Sequence, residues 1–289
     1  MNFWERVSTL DRRWIFIFVG LAVLVPMLFN LQCKQLASPI VRGIYDKIES
    51  IPPGSRVVMS FDYGPSTVPE IQPMVDAVIR HCLERDLKIV FLALWATGQN
   101  ILTTTIETLV APEYPQLEYG VHYANFGYKA GNQGVINVVL SDFYKMFPTD
   151  VEGAPSRDFP LMKGLRSFKD VELIISFGGG FPGIKEWVQF AGDLGDIAIA
   201  GGCTAVAAPL LYPYYPQQMV GLMGGIKGAA EYEALLSEHF EKFRDTEKFP
   251  QRGHEMMGPQ TVAHIVIMLF IVIGNMAYFI SRRQTGGAA

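Results

Sequence analysis

Three short stretches carry residues whose types and spacing could do chemistry. "AIAGGCTAVAAP", residues 198–209, puts Cys203 behind a small apolar run and two glycines and ahead of residues able to open a helix. A thiol on such a strand-to-helix elbow would gain acidity from the helix N-terminus, and backbone N–H groups there could form an oxyanion hole. "GGGFPG", Gly178 to Gly183, has the spacing G-x-G-x-x-G after an apolar run, the local setting in which a pyrophosphate sits on a helix N-terminus. Further upstream, "FDYGP", "LWATG" and "ANFGYK" each end a strand-like run on polar and glycine residues.

In an open α/β sheet, ligands bind outside the carboxyl ends of the strands. That rule makes Asp62, Tyr63, Thr97, Asn125, Gly178, Gly180 and Gly183 the candidate ligand-binding residues. The same residue types serve βα loops as turn formers and helix caps without any ligand. The strand after the glycine motif, "DIAIAGG", ends without the acidic residue that would hold a ribose hydroxyl, and Pro182 stiffens the loop a phosphate must approach. No cofactor is therefore expected. A Walker lysine, CxxC, HExxH and a calcium-loop pattern are all missing from the sequence, so no metal site is expected either.

"GGCTA" resembles the G-x-C-x-G elbow of class I glutamine amidotransferases, with Ala205 where the last glycine would stand. The resemblance implies Cys203 as nucleophile, with a base and an acid supplied by a downstream H-x-E, here His239 and Glu241. That triplet falls in a charged segment close to the C-terminal apolar run rather than among the loops of the sheet. A nucleophile without a placed base is not a catalyst, so Cys203 reads as a turn residue.

These residues must be positioned by alternating strands and helices. "RVVMSFDYG" is β-rich and ends in turn residues; "VPEIQPMVDAVIRHCLERD" follows with Ile71, Met74, Val75, Val78, Ile79 and Cys82 at helical spacing. Strands "KIVFLALW", "EYGVHYANFGY", "VELIISF" and "DIAIAGG" alternate with helices near 100–110 and 134–146, then "GIKEWVQFAG" and "TAVAAPLL". Five strands joined through helices require crossover connections, hence a mostly parallel, doubly wound α/β sheet of Rossmann-like or flavodoxin-like type. Its near-continuous apolar strands suit burial on both faces.

Beyond the sheet, "LLYPYYPQQMVGLMGGIKG" brings Tyr212, Tyr214 and Tyr215 among prolines, and then Gly221, Gly224, Gly225 and Gly228 on what reads as a small-residue helix. Aromatic anchors and small-residue faces are devices for association, so these seven residues form a candidate interface.

The chain has 289 residues, 49% of them hydrophobic and only 18% charged, which is apolar for a soluble domain. "WIFIFVGLAVLVPMLF" would rise roughly 24 Å as a helix, a little short of the ~30 Å hydrocarbon core. "VAHIVIMLFIVIGNMAYFI" is long enough to cross and ends at Arg282 and Arg283. The first segment lacks a signal-peptidase-like site and is expected to stay as an anchor. Boundaries follow: tail 1–13, span 14–31, linker 32–55, α/β domain 56–230, amphipathic stalk 231–258, span 259–281, tail 282–289. Arg12, Arg13, Arg282 and Arg283 flank the spans tightly, which places both termini in the cytoplasm and the domain outside. A net charge of −4 without a basic stripe argues against nucleic acid. The expected partners are the membrane and other membrane subunits or further copies of the chain, in a non-catalytic scaffold role. A membrane-anchored enzyme, either Cys-based or nucleotide-dependent, and a small-ligand sensor are the alternatives.

Overall fold

The computed structural model describes residues 11–29, 31 and 35–286, and Cys33 lies outside them. The chain forms two compact units: a helical unit drawn from both ends of the chain, and an α/β domain, Gln35–Gly253.

The domain is built on six parallel strands: β1 (Arg56–Asp62), β2 (Lys88–Ala93), β3 (Tyr123–Tyr128), β4 (Leu173–Gly178), β5 (Ile199–Cys203) and β6 (Gly221–Gly224). They lie in the order β3-β2-β1-β4-β5-β6, the Rossmann order. Period-two geometry sends successive side chains to opposite faces. Val57, Met59 and Phe61 of β1 thus enter one core, while Val58 enters the other. Both cores are apolar, which is why the strands show no polar alternation.

Reading from the N-terminus, α1 (Arg12–Leu28) belongs to the helical unit, and α2 (Pro39–Ser50), α3 (Val68–Glu84) and α4 (Ala96–Thr105) belong to the domain. α4 runs on through a π-helical turn, Ile106–Val110, into Ala111–Glu113. The other face takes α5 (Gln133–Val139), α6 (Phe143–Met146), the short α7 (Ile184–Glu186) with its π-helical continuation Trp187–Gly192, and α8 (Ala208–Leu211). α9 (Gly225–His239) returns to the face of α2 and α3.

Four sequence expectations change here. Gly221 and Gly224 lie in a sixth strand rather than in a helix: Gly221 pairs with Ala200, and Gly224 with Cys203. The segment expected to be a linker contains α2, an amphipathic helix that buries Val41, Ile44, Tyr45 and Ile48 in the domain core. The expected stalk begins inside α9, where Glu231, Tyr232, Glu233, Leu235 and Leu236 are buried. Sequence alone hides this because these carboxylates are paired within the fold: Glu231 accepts from the Ser38 backbone N–H at 2.9 Å, and Glu233 from the Gly253 N–H at 3.1 Å. The expected helix over 134–146 is also interrupted, at Asp142, whose carboxylate caps α6.

In the helical unit, α10 (Arg252–Gly286) starts at the domain's last residues and runs for 35 residues. Among the described residues, one helix, Arg252–Ile280, is long and apolar enough to cross a membrane. Phe18 of α1 meets Phe270 of α10 with ring centroids 6.1 Å apart, and Ala22, Ala263 and Ala277 are buried. Large apolar side chains such as Phe16, Leu24, Leu269 and Val272 are exposed.

Candidate functional site

β1 and β4 are neighbours, and the helices that follow them leave to opposite faces. Their carboxyl ends therefore form the topological switch point, where this fold holds its ligands. Asp62 ends β1 there, fully buried. Its Oδ1 accepts from Ser60 Oγ at 2.6 Å and the Leu94 N–H at 2.8 Å; its Oδ2 accepts from Ser176 Oγ at 3.0 Å and Trp187 Nε1 at 2.9 Å. Burial pushes its carboxyl up to about 6, against the pull of these four donors. Such a group ties β1, β2, β4 and α7 together and has no lone pair left for a substrate.

The glycine loop behaves in the same inward manner. The Gly179 N–H donates to Asp62 O at 2.9 Å, and Trp95 Nε1 donates to Pro182 O at 2.7 Å. At the position where a pyrophosphate would rest, the Gly183 N–H donates to the carboxylate of buried Glu186 at 2.7 Å. The loop thus carries its own anion. α4 closes the crevice from the other side through Gly98, where an added Cβ would fall 1.9 Å from Phe61 O.

The remaining rim residues are also spent on the fold. Tyr63 is buried and donates its hydroxyl to Gln72 Oε1 at 2.7 Å. Thr97 Oγ1 donates to Tyr63 O at 3.4 Å. Asn125 accepts from the Gly127 N–H at 2.9 Å and donates to Thr103 Oγ1 at 3.3 Å.

Cys203 is 1% exposed, and burial first, then the Glu70 carboxylate, pushes its thiol up to about 12. The Ala205 N–H, a donor an oxyanion hole would need, is bonded to Glu70 Oε1 at 2.7 Å. His239 closes the far end of α9 and stacks on Tyr45 at 5.1 Å. The residues implied by the amidotransferase resemblance are therefore not brought together.

Small size at the four glycines is used within the domain. An added Cβ at Gly221 would meet Ile40 O at 2.4 Å, at Gly224 the Ala208 side chain at 2.8 Å, at Gly225 the Ala205 side chain at 2.7 Å, and at Gly228 Met223 Cα at 2.8 Å. Gly225 also has a φ of +63°, a conformation that favours glycine. Of the three tyrosines, Tyr212 is exposed, whereas Tyr214 accepts from Gln189 and Tyr215 donates to Pro39 O. Phe181, Val206 and Leu210 are 62%, 87% and 76% exposed. Phe181 and Leu210 line an apolar hollow of about 290 Å³ above Cys203 and Ile184.

A second, larger cavity of about 590 Å³ lies between α3 and α4. Gln72, Asp76 and Arg80 reach it from one polar stripe of α3, four residues apart. Gln72 Nε2 donates to Asp76 Oδ1 at 2.7 Å and to Thr105 Oγ1 at 2.9 Å. Arg80 holds Glu113 with two bonds, 2.8 and 2.7 Å, and donates to Pro250 O at 3.1 Å. Burial raises the Asp76 carboxyl. The apolar stripe of α3 dominates its sequence pattern and masks this polar one, though the four-residue spacing is legible.

Fold and rim define an α/β domain of Rossmann-like strand order, continuous with a helix able to cross a membrane. The sequence matches no protein-family model and no curated protein.

Proposed function

We propose that the chain is a membrane-anchored, non-catalytic α/β subunit of a larger membrane assembly, with a partner docked on the β4 and β5 end of the sheet. One observation carries the reading: Phe181, Val206, Leu210 and Tyr212 are all more than half exposed at the edge where an enzyme of this fold would present polar groups. Exposed apolar side chains around a hollow mark interaction sites. The inward use of Asp62, Tyr63 and Glu186 supports the same reading. The partner is another membrane subunit or a second copy of the chain.

Both α1 and α10 act as spans in this reading. Their contact through Phe18 and Phe270 beside buried alanines supports it, since helices associate in lipid through small residues. In this reading, the arginines beside the spans keep both termini in the cytoplasm and the domain outside, the positive-inside preference.

Replacing Leu210 or Phe181 by Asp tests the docking surface. Native mass spectrometry after gentle detergent extraction should show the assembly lost, while the domain keeps its melting temperature. An assembly of unchanged mass in both variants would refute the reading.

A further inference from the structure

The cavity between α3 and α4 has the size of small-ligand sites and stands apart from the docking surface. Its charges are unevenly satisfied. Gln72 has spent both amide donors on Asp76 and Thr105, Arg80 gives three of its N–H groups to Glu113 and Pro250, and Glu113 is held by the Nε and Nη2 arms of that guanidinium. Asp76 is different: Oδ1 accepts from Gln72, and Oδ2 accepts from no group among the described residues. Arg252 and Lys248 line the same cavity and form no ion pair there among the described residues. Lys248 instead lies over the Phe249 ring at 5.6 Å.

A purely cationic ligand would meet Asp76 and Glu247 but be repelled by Arg80, Arg252 and Lys248. A purely anionic one would face the opposite problem. A ligand with both signs satisfies the open groups on each side, through charge-assisted hydrogen bonds that are roughly twice as strong as neutral ones. Val68, Ile101, Leu109 and Pro112 add apolar wall, suited to an aliphatic portion. Burial raises the Asp76 carboxyl, against the Gln72 hydrogen bond and the charges of Arg80 and Arg252, and an ammonium on Oδ2 would favour its charged form.

We propose that this cavity binds a small zwitterion, its primary ammonium group on Asp76 Oδ2 and its anionic group held by Arg252 and Lys248. The chemistry is shared by free α-amino acids and by the phosphoethanolamine headgroup of a lipid. Arg252 is the first residue of the helix long and apolar enough to cross a membrane, and Lys248 lies four residues before it, so the test covers both a soluble and a lipid source.

Two arms separate them, each on the full-length protein. In the first, calorimetric titration in detergent uses the standard L-amino acids and soluble phosphoethanolamine. In the second, nanodiscs of phosphatidylcholine with or without phosphatidylethanolamine are dissolved gently, and retained lipid is read by native mass spectrometry. Binding in the first arm assigns a free solute, and selective retention of phosphatidylethanolamine assigns the lipid. In either arm Asp76→Asn, which keeps the acceptor for Gln72, and Arg252→Gln should each weaken binding by about tenfold or more, the worth of one charge-assisted hydrogen bond. Assembly mass should be unaffected in both variants, which distinguishes failure of this site from failure of the docking surface. Silence in both arms, or binding unchanged in both variants, would overturn the proposal.

Discussion

At the residue scale, two buried titratable groups oppose one another. Asp62 has its carboxyl raised from 3.8 to about 6, chiefly by burial. The folded state therefore holds a proton that the unfolded state releases, and stability falls as pH rises through that window. His81 is the reverse case. Its Nε2 lies 2.8 Å from Glu49 Oε1 and its Nδ1 2.6 Å from the Tyr232 hydroxyl; in the neutral ring Nε2–H donates to the carboxylate and Nδ1 accepts from the hydroxyl. Burial lowers it from 6.5 to about 4, so its contribution is complete above 6.5 and is lost as pH falls toward 4. The two slopes offset each other in the wild-type chain between pH 4 and 6. In Asp62→Asn the Asp62 slope is removed while the His81 slope survives, and urea midpoints across this range should climb more steeply with pH than those of the wild type. Parallel profiles would mean that Asp62 does not titrate there. Trp187→Phe removes one donor from Asp62 and shrinks a fully buried side chain. It should cost about 2–4 kcal/mol at pH 7, readable by chemical denaturation.

At the scale of elements, the close approach of α2 to β6 decides how the sheet ends. Gly221 admits the helix backbone, and an added Cβ there would lie 2.4 Å from Ile40 O and 2.6 Å from an Ile44 side-chain carbon. Gly221→Val should destabilise the domain by about 2–4 kcal/mol, as overpacking against backbone does not relax cheaply. A variant that melts like the wild type would show that α2 is dispensable for the edge of the sheet. Strand positions were legible in sequence because runs such as "RVVMSFD" and "ELIISF" are continuous and end in turn residues. β6 was not, since four residues with a glycine at each end carry no periodicity; only its pairing with β5 makes them a strand.

At the scale of the whole molecule, topology is the open variable. The proposed orientation predicts that cysteines engineered at positions 2 and 287 resist a membrane-impermeant thiol reagent applied to intact cells and react after permeabilisation. Labelling from outside would reverse the orientation. The apolar run of α10 is a property of composition and length, so the sequence alone reveals it. The α/β class was equally legible, because crossover connections follow from alternating strands and helices whatever their order. Strand order, the partners of Asp62, and the fate of the glycine loop were decided only by the tertiary structure. G-x-G-x-x-G spacing is the same whether the loop's N–H groups await a phosphate or, as at Gly183, are held by Glu186 three residues along. A cysteine after two glycines is likewise the same until Glu70, 133 residues earlier in the chain than Cys203, takes the neighbouring N–H. The stripe Gln72, Asp76, Arg80 was written in the sequence, but only the packing of α4 beside α3 turns it into the wall of a cavity. Local patterns select elements through short-range sterics and periodicity, whereas the satisfaction of a buried polar group depends on residues distant in the chain that only the fold brings within hydrogen-bonding reach.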